Sequence, residues 1–254
     1  MKKSLKKFSL KYSYSWIPDV PDARDFLYTA IRPKKVKLPS NVDLREYCSP
    51  VEDQGALGSC TANALAGNIE FLDEKDDAGY TDASRLFIYY NERVIEHSVT
   101  SDAGAMIRDG IKTLYKEGVC SEDRWPYQIK QFTKKPSAIC YQEAKKHRIQ
   151  SYHRITTLNE MLSCLTEGFP FVFGFAVYES FESQKTAKTG IANMPKPSER
   201  QLGGHAVCAV GFDQKTKRFL VRNSWGPNWG MGGYFTIPYQ YLETLADDFW
   251  TIRK

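Results

Sequence analysis

The sequence predicts an α+β fold, an expectation that rests on its texture and its composition. Through the first half, apolar residues recur every three or four positions; after about residue 150 they gather into short β-rich runs separated by glycine, proline and charged turns. A length of 254 residues, 42% hydrophobic and 26% charged, supplies enough apolar material for a full core. No run approaches the roughly 20 apolar residues of a membrane-spanning helix, so no transmembrane segment is expected. The longest apolar run, Phe169 to Val177, is broken by Pro170 and Gly174.

Residues 1–37 form a basic N-terminal extension, with ten Lys/Arg against Asp19, Asp22 and Asp25, a local charge of +7 on a chain whose net charge is +5. Solvated lysines explain such an arm, and no nucleic-acid motif accompanies it, so no nucleic-acid partner is expected. Pro18, Pro21, Pro33 and Pro39 make residues 1–40 an extended stretch, and the compact body starts near Leu38. Phe8, Leu10, Tyr12 and Tyr14 alternate with Ser and Lys where a signal peptide needs a continuous apolar stretch. The expected location is therefore cytoplasmic, or reached by a route without a classical signal.

From Cys60, the spacing of Ala62, Leu65, Ala66, Ile69 and Phe71/Leu72 predicts an amphipathic helix opening beside Ser59. Further helices are predicted over Ala83–Glu96, Ala105–Glu117 and Thr157–Thr166, and strands over Pro170–Val177, His205–Phe212, Arg218–Asn223 and Tyr234–Ile237. The cluster Gly226, Gly230, Gly232 and Gly233 reads as a structured turn entering a strand. The six cysteines are thinly spread and read as thiols, and no Cys-x-x-Cys pair or His-Glu-x-x-His helix suggests a metal.

Four residues carry candidate chemistry. Cys60 at a helix N-terminus has amides and a dipole that favour a thiolate, although a buried structural cysteine is the commoner case. Gln54 is a neutral donor suited to an oxyanion, with Gly55 and Gly58 permitting a tight turn between them. His205, after Gly203-Gly204, is a candidate general base, and Asn223 can orient its ring. His97, His147 and His153 lie in charged surroundings and are read as surface residues.

The segments Gln54-Gly55 through Gly58-Ser59-Cys60, Gly204-His205-Ala206-Val207 and Asn223-Ser224-Trp225-Gly226-Pro227-Asn228-Trp229-Gly230-Met231-Gly232-Gly233-Tyr234-Phe235 together resemble the three active-site blocks of papain-like cysteine peptidases, in the family's order. The resemblance spans about residues 38–240. It implies a helical left domain, about 48–150, a β-rich right domain, about 151–240, and an active site in the cleft between them. Within a catalytic domain of residues 38–254, Cys60 would be the nucleophile, His205 the base and Asn223 its orienter. Gln54 and the Cys60 amide would form the oxyanion hole. Trp225 would shield the His205–Asn223 bond. Gly104, Met106, Gly203 and Gly204 would line the path of a peptide or protein substrate, with no cofactor needed.

Thr61 and Leu57 stand where plant and lysosomal members usually carry Trp and Cys, so the chain resembles the bacterial and archaeal branch, without the usual left-domain disulfide. About 37 residues precede Leu38-Pro39-Ser40-Asn41-Val42-Asp43, which resembles a mature N-terminus. The stretch from Ser15-Trp16-Ile17-Pro18-Asp19 to Arg24-Asp25-Phe26 resembles the short N-terminal extension of bacterial members, some of which lay it near or across the cleft, giving the expectation that residues 1–37 partly occlude the active site, an intramolecular inhibition, set against a strap packed on the back of the fold. A transpeptidase or deamidating enzyme on the same fold, or a non-enzymatic peptide-binding protein, are the other readings.

Overall fold

The computed structural model describes residues 13–33, 36–76, 79 and 82–254. The lysines of residues 2–11 and Lys34–Lys35, counted in the basic arm, lie outside the described residues, as do Phe8, Leu10 and Tyr12. In chain order the elements are β1 (Asn41–Asp43), α1 (Cys60–Lys75), α2 (Arg85–Ile95), α3 (Ile107–Lys116), α4 (Ala138–Ala144), β2 (Ser151–Arg154), α5 (Leu158–Thr166), β3 (Phe171–Tyr178), α6 (Gln184–Thr189), β4 (Gln201–Asp213), β5 (Arg218–Arg222), β6 (Tyr234–Pro238), α7 (Tyr239–Leu245) and β7 (Ala246–Arg253). The mixture of helices and antiparallel sheet is the α+β architecture the sequence predicts.

The core of the molecule is α1. Its apolar repeat is buried at Ala62, Leu65, Ala66, Ile69, Phe71 and Leu72, because α2 and α3 cover one side while the sheet, chiefly β4, covers the other. Two polar ties fix the loop that leads into it. Arg222 at the end of β5 donates to the carbonyls of Ser49 and Pro50, and Ser49 Oγ donates to Glu70 on α1. The guanidinium lies over Gly67, where a Cβ would come within 2.7 Å of Arg222 Nε.

The strands form one antiparallel sheet ordered β2-β7-β3-β4-β5-β6, with β1 on the end of β4. Phe171, Phe173, Phe175, Val207, Ala209, Phe219, Val221 and Phe235 are buried, as expected of strands covered on both faces. The sheet also takes in residues 41–43 and 246–253, on either side of the 151–240 stretch. Between β3 and β7 the register slips, from Val172 opposite Trp250 to Gly174 opposite Asp247. One residue of β3 thus faces two of β7, a bulge centred on Asp248, whose φ of 57° lies in the left-handed region. The bulge belongs to the candidate site.

His153 corrects the sequence reading. It sits in β2 and is 9% exposed, since β2 pairs with β7 and the Phe26 ring packs 6.5 Å from the imidazole. Its charged neighbours in sequence, Lys145, Lys146 and Arg148, point to a surface that the strand does not share.

Candidate active site

The loop before α1 is held from both sides of the cleft. Gly55 adopts φ 60°, which glycine accepts without strain, and the Gly58 amide donates to both Asp102 carboxylate oxygens at 3.0 Å. Gln54 is fully buried: its amide nitrogen donates to Leu57 O at 3.0 Å and its Oε1 accepts from Ser224 Oγ at 2.6 Å. This pairing assigns the amide orientation and leaves Nε2 a second hydrogen. Cys60 then opens α1.

His205 stands on β4, and Asn223 follows β5 on the adjacent strand. His205 Nε2 lies 2.8 Å from Asn223 Oδ1, which also accepts from the Ser224 amide at 2.9 Å. An oxygen already fixed by one N–H must accept from the ring too, so in the neutral imidazole Nε2 carries the proton and Nδ1 is the free base. Nδ1 has no hydrogen-bond partner. Trp225 stacks on the ring at 4.9 Å and 23° and is itself buried, shutting water away from the His205–Asn223 bond. The amide of Ala206, next to His205, reaches the Cys60 sulfur.

The cleft is occupied by the chain's own N-terminal segment. The Ile17 amide donates to Ala105 O at 3.0 Å and the Ala105 amide to Ser15 O at 3.2 Å, while on the opposite wall the Trp16 amide donates to Gly204 O at 3.0 Å. Ser15 Oγ donates to Gly58 O at 2.7 Å and lies 4.0 Å from Cys60 Sγ. Tyr14 sets its ring edge against His205 and Trp225 and its hydroxyl on Glu182. A Cβ at Gly104 would strike Ser15 O at 1.8 Å, one at Gly203 would meet Tyr14 Cβ at 2.5 Å, and one at Gly204 would meet Trp16 Cε3 at 2.7 Å. Gly104, Gly203 and Gly204 therefore lie against an extended stretch of the chain itself, residues 14–17. Met106 is the half-buried residue preceding α3, its amide donating to Glu96 at 2.7 Å.

Burial sets the electrostatics of the pair. A helix N-terminus favours a Cys60 thiolate, yet the sulfur is fully buried, and desolvation pushes the thiol up against the donors around it. Burial likewise holds His205 down at about 4, against the bond from Asn223. With residues 14–17 in place, both groups are uncharged at neutral pH.

Sequence reasoning missed the anchor of this segment. Asp19 is buried; its carboxylate accepts from Trp250 Nε1 at 2.8 Å and the Arg108 amide at 3.1 Å, and its own amide donates to Asp248 Oδ2 at 2.7 Å. Asp25 accepts from Arg108 at 2.7 Å and Arg154 at 3.3 Å. Pro18 and Pro21 flanking Asp19 signal an extended path but not its destination. Glu52, Glu70 and Asp82 also cluster closely enough to face a common ion, with Glu52 paired to Arg85 and Glu70 to Ser49 and the Ala83 amide.

The chain is 45% identical over 274 residues to an uncharacterized peptidase C1-like protein of Acanthamoeba polyphaga mimivirus, spanning 97% of this chain and 88% of that one. Pro-cathepsin H of Bos taurus is 29% identical over 218 residues, covering 78% of this chain and 59% of the cathepsin. The crystal structure of xylellain, a cysteine protease from Xylella fastidiosa, aligns with a TM-score of 0.87 at 45% identity, over 95% of this chain and 96% of that one. A family model described as papain family cysteine protease matches residues 38–244, and the chain belongs to that family.

Proposed function

We propose that the protein hydrolyses peptide bonds through Cys60, His205 and Asn223, and that residues 14–19 hold it inactive until displaced. The observation that carries the catalytic part is the His205–Asn223 bond at 2.8 Å, which leaves Nδ1 as the free base on the strand whose next residue, Ala206, reaches Cys60. Once the cleft is open, Cys60 Sγ gives its proton to Nδ1 and the sulfur attacks the substrate carbonyl carbon. The resulting oxyanion takes hydrogen bonds from the spare Gln54 Nε2 hydrogen and the Cys60 amide. The imidazolium then protonates the leaving amine as the C–N bond breaks, and the thioester is hydrolysed by water that His205 deprotonates.

The inhibitory part is supported by where the segment's carbonyls go. Ser15 O is taken by the Ala105 amide on the cleft wall. Ser15 therefore covers Cys60 with its hydroxyl while its own carbonyl is engaged by the cleft wall.

The test is intact mass after incubation with a papain-directed epoxysuccinyl inhibitor under reducing conditions, in the full chain and in Cys60→Ala. One adduct on the first and none on the second is expected, forming slowly because the sulfur is covered. An adduct on both would show the reagent reacting at another thiol and sink the assignment. Gln54→Ala should lower turnover about 10²- to 10³-fold with little change in KM, the signature of a lost oxyanion donor.

A further inference from the structure

Gln54 can serve an oxyanion only while its amide faces the right way, and one peptide plane decides that. The plane is Leu57–Gly58. Its carbonyl, Leu57 O, accepts from Gln54 Nε2 at 3.0 Å, and its N–H, on Gly58, donates to Oδ1 and Oδ2 of Asp102, both at 3.0 Å. The local backbone fixes this plane weakly, because a flip turns chiefly ψ of Leu57 and φ of Gly58, and glycine accepts either sign of φ. A side chain at 58 is excluded, since a Cβ there would lie 2.8 Å from Asp102 Oδ1 and 2.5 Å from Ser15 Oγ. After a flip, the Gly58 N–H would face Gln54 Nε2, donor against donor. The amide would then turn over to accept through Oε1, and an oxygen lone pair instead of a hydrogen would meet the oxyanion.

We propose that Asp102 is a positioning residue for the oxyanion hole, keeping the Leu57–Gly58 plane in the orientation that turns a Gln54 hydrogen toward the developing charge. The proposal rests on the peptidase reading above. Asp102 is exposed, yet its carboxylate is held in place. The buried Tyr89 donates its hydroxyl hydrogen to Oδ1 and accepts from the Gly104 amide at 3.3 Å, while the buried Arg93 donates to Val99 O and Ser101 O, each at 3.0 Å, and so fixes the chain leading to Asp102. The carboxylate bonds to Gly58 and Tyr89, so it acts through Leu57 and Gln54 and not on the substrate. An ionised acceptor on the N–H also polarises the plane, which makes Leu57 O a better partner for Gln54 Nε2.

The test is a cycle of Asp102→Ala and Gln54→Ala, read with a fluorogenic peptide in the full chain carrying Asp19→Ala, so that release of residues 14–19 is common to every member. Asp102→Ala alone should lower kcat about tenfold, as expected for one bond to a charged acceptor, with little change in KM. Added to Gln54→Ala, it should cost about twofold or less, because the plane then has no amide left to orient. Asp102→Asn should recover most of the loss, since its carbonyl oxygen still accepts from Gly58. Alkylation of Cys60 by iodoacetamide forms the S–C bond with loss of iodide and passes through no oxyanion. Its rate should stay within about twofold across the cycle.

The side-chain amide resonances of Gln54 in the Cys60→Ala chain read the same plane without turnover. Adding Asp102→Ala should speed exchange of the Nε2 hydrogens with water about tenfold, as the bond to Leu57 O opens. Faster exchange in a protein whose natural chain hydrolyses no peptide would uphold the role of Asp102 and sink the peptidase reading. Unchanged Gln54 exchange, an unchanged kcat in Asp102→Ala, losses that multiply in full with Gln54→Ala, or alkylation that slows in step with kcat would overturn it.

Discussion

The N-terminal segment is held very differently at its two ends, and the contrast shows how a cleft can be closed without burdening its chemistry. At the nucleophile itself the side-chain contacts are light, one hydrogen bond from Ser15 Oγ, a 4.0 Å approach to Cys60 and the Tyr14 ring edge, beside backbone bonds to Ala105 and Gly204 on the cleft walls and the Tyr14 hydroxyl on Glu182. At the bulge, Asp19 and Asp25 engage Trp250, Arg108 and Arg154 through buried, charge-assisted bonds. Holding is thus done away from the reacting atoms, and covering is done at them. A segment gripped tightly at Cys60 would need strong polar partners there, and those partners would remain to perturb the open site.

Breaking the strong end should have the largest effect. Asp19→Ala leaves the Trp250 indole N–H and the Arg108 amide without their buried acceptor, a loss of about 3–5 kcal/mol in the grip on the segment. Peptidase turnover should rise about 10²- to 10³-fold, together with the rate of epoxysuccinyl labelling at Cys60. A folded Asp19→Ala chain with unchanged turnover would show that residues 14–19 do not limit access.

The same two ends differ in how far the sequence disclosed them. Cys60, His205, Asn223 and Gln54 were legible because each sits in a contiguous block whose neighbours, Gly58-Ser59, Gly203-Gly204 and Trp225-Gly226, serve the same local geometry. The helices α1, α2, α3 and α5 and the strands β3 to β6 were legible from their periods, with ends moved by a few residues, whereas the short α4, α6, α7, β1 and β2 and the final strand β7 were not read. Asp19, Arg108, Arg154, Asp248 and Trp250 were not, because they come from a loop, a helix, two strands and a bulge that only tertiary structure brings together. The helix-terminal thiolate was misjudged for a related reason: the dipole at Cys60 is local, whereas the desolvation that outweighs it comes from burial in the assembled fold.

Acidity acts on the two ends in opposite directions. Burial keeps the closed-state His205 near 4, below its ordinary 6.5, so its contribution to closure is complete above about 6.5 and is lost as pH falls through about 4. Burial and then Asp19 push Asp248 up to about 7, and burial raises Asp19 as well. The Asp248 contribution is complete below its ordinary 3.8 and is lost as pH rises through about 7. Asp25, Asp247, Arg108 and Arg154 surround this pair. Between about 4 and 6.5 the two ends offset each other, and closure in the natural chain should vary little. In Asp248→Asn the His205 slope is opposed by Asp19 alone, so opening should grow with acidification, by less than about tenfold per unit. Hydrogen exchange at the Trp16 and Asp19 amides, corrected for intrinsic rate, measures it; a flat profile in the variant would contradict the opposition.

The smallest effect belongs to the light end. Ser15→Ala removes the Gly58 hydrogen bond, worth about 1 kcal/mol, and should raise turnover only about fivefold. Its size matters less than its background. Both Ser15→Ala and Asp19→Ala act on one equilibrium between covered and open cleft, and an equilibrium already shifted to open cannot be shifted further. Ser15→Ala should therefore change turnover in the natural chain and leave it unchanged when added to Asp19→Ala. A fivefold gain that persists in the double variant would mean that Ser15 affects the reactivity of Cys60 itself, and the division between a covering end and a holding end would fail at the residue nearest the sulfur.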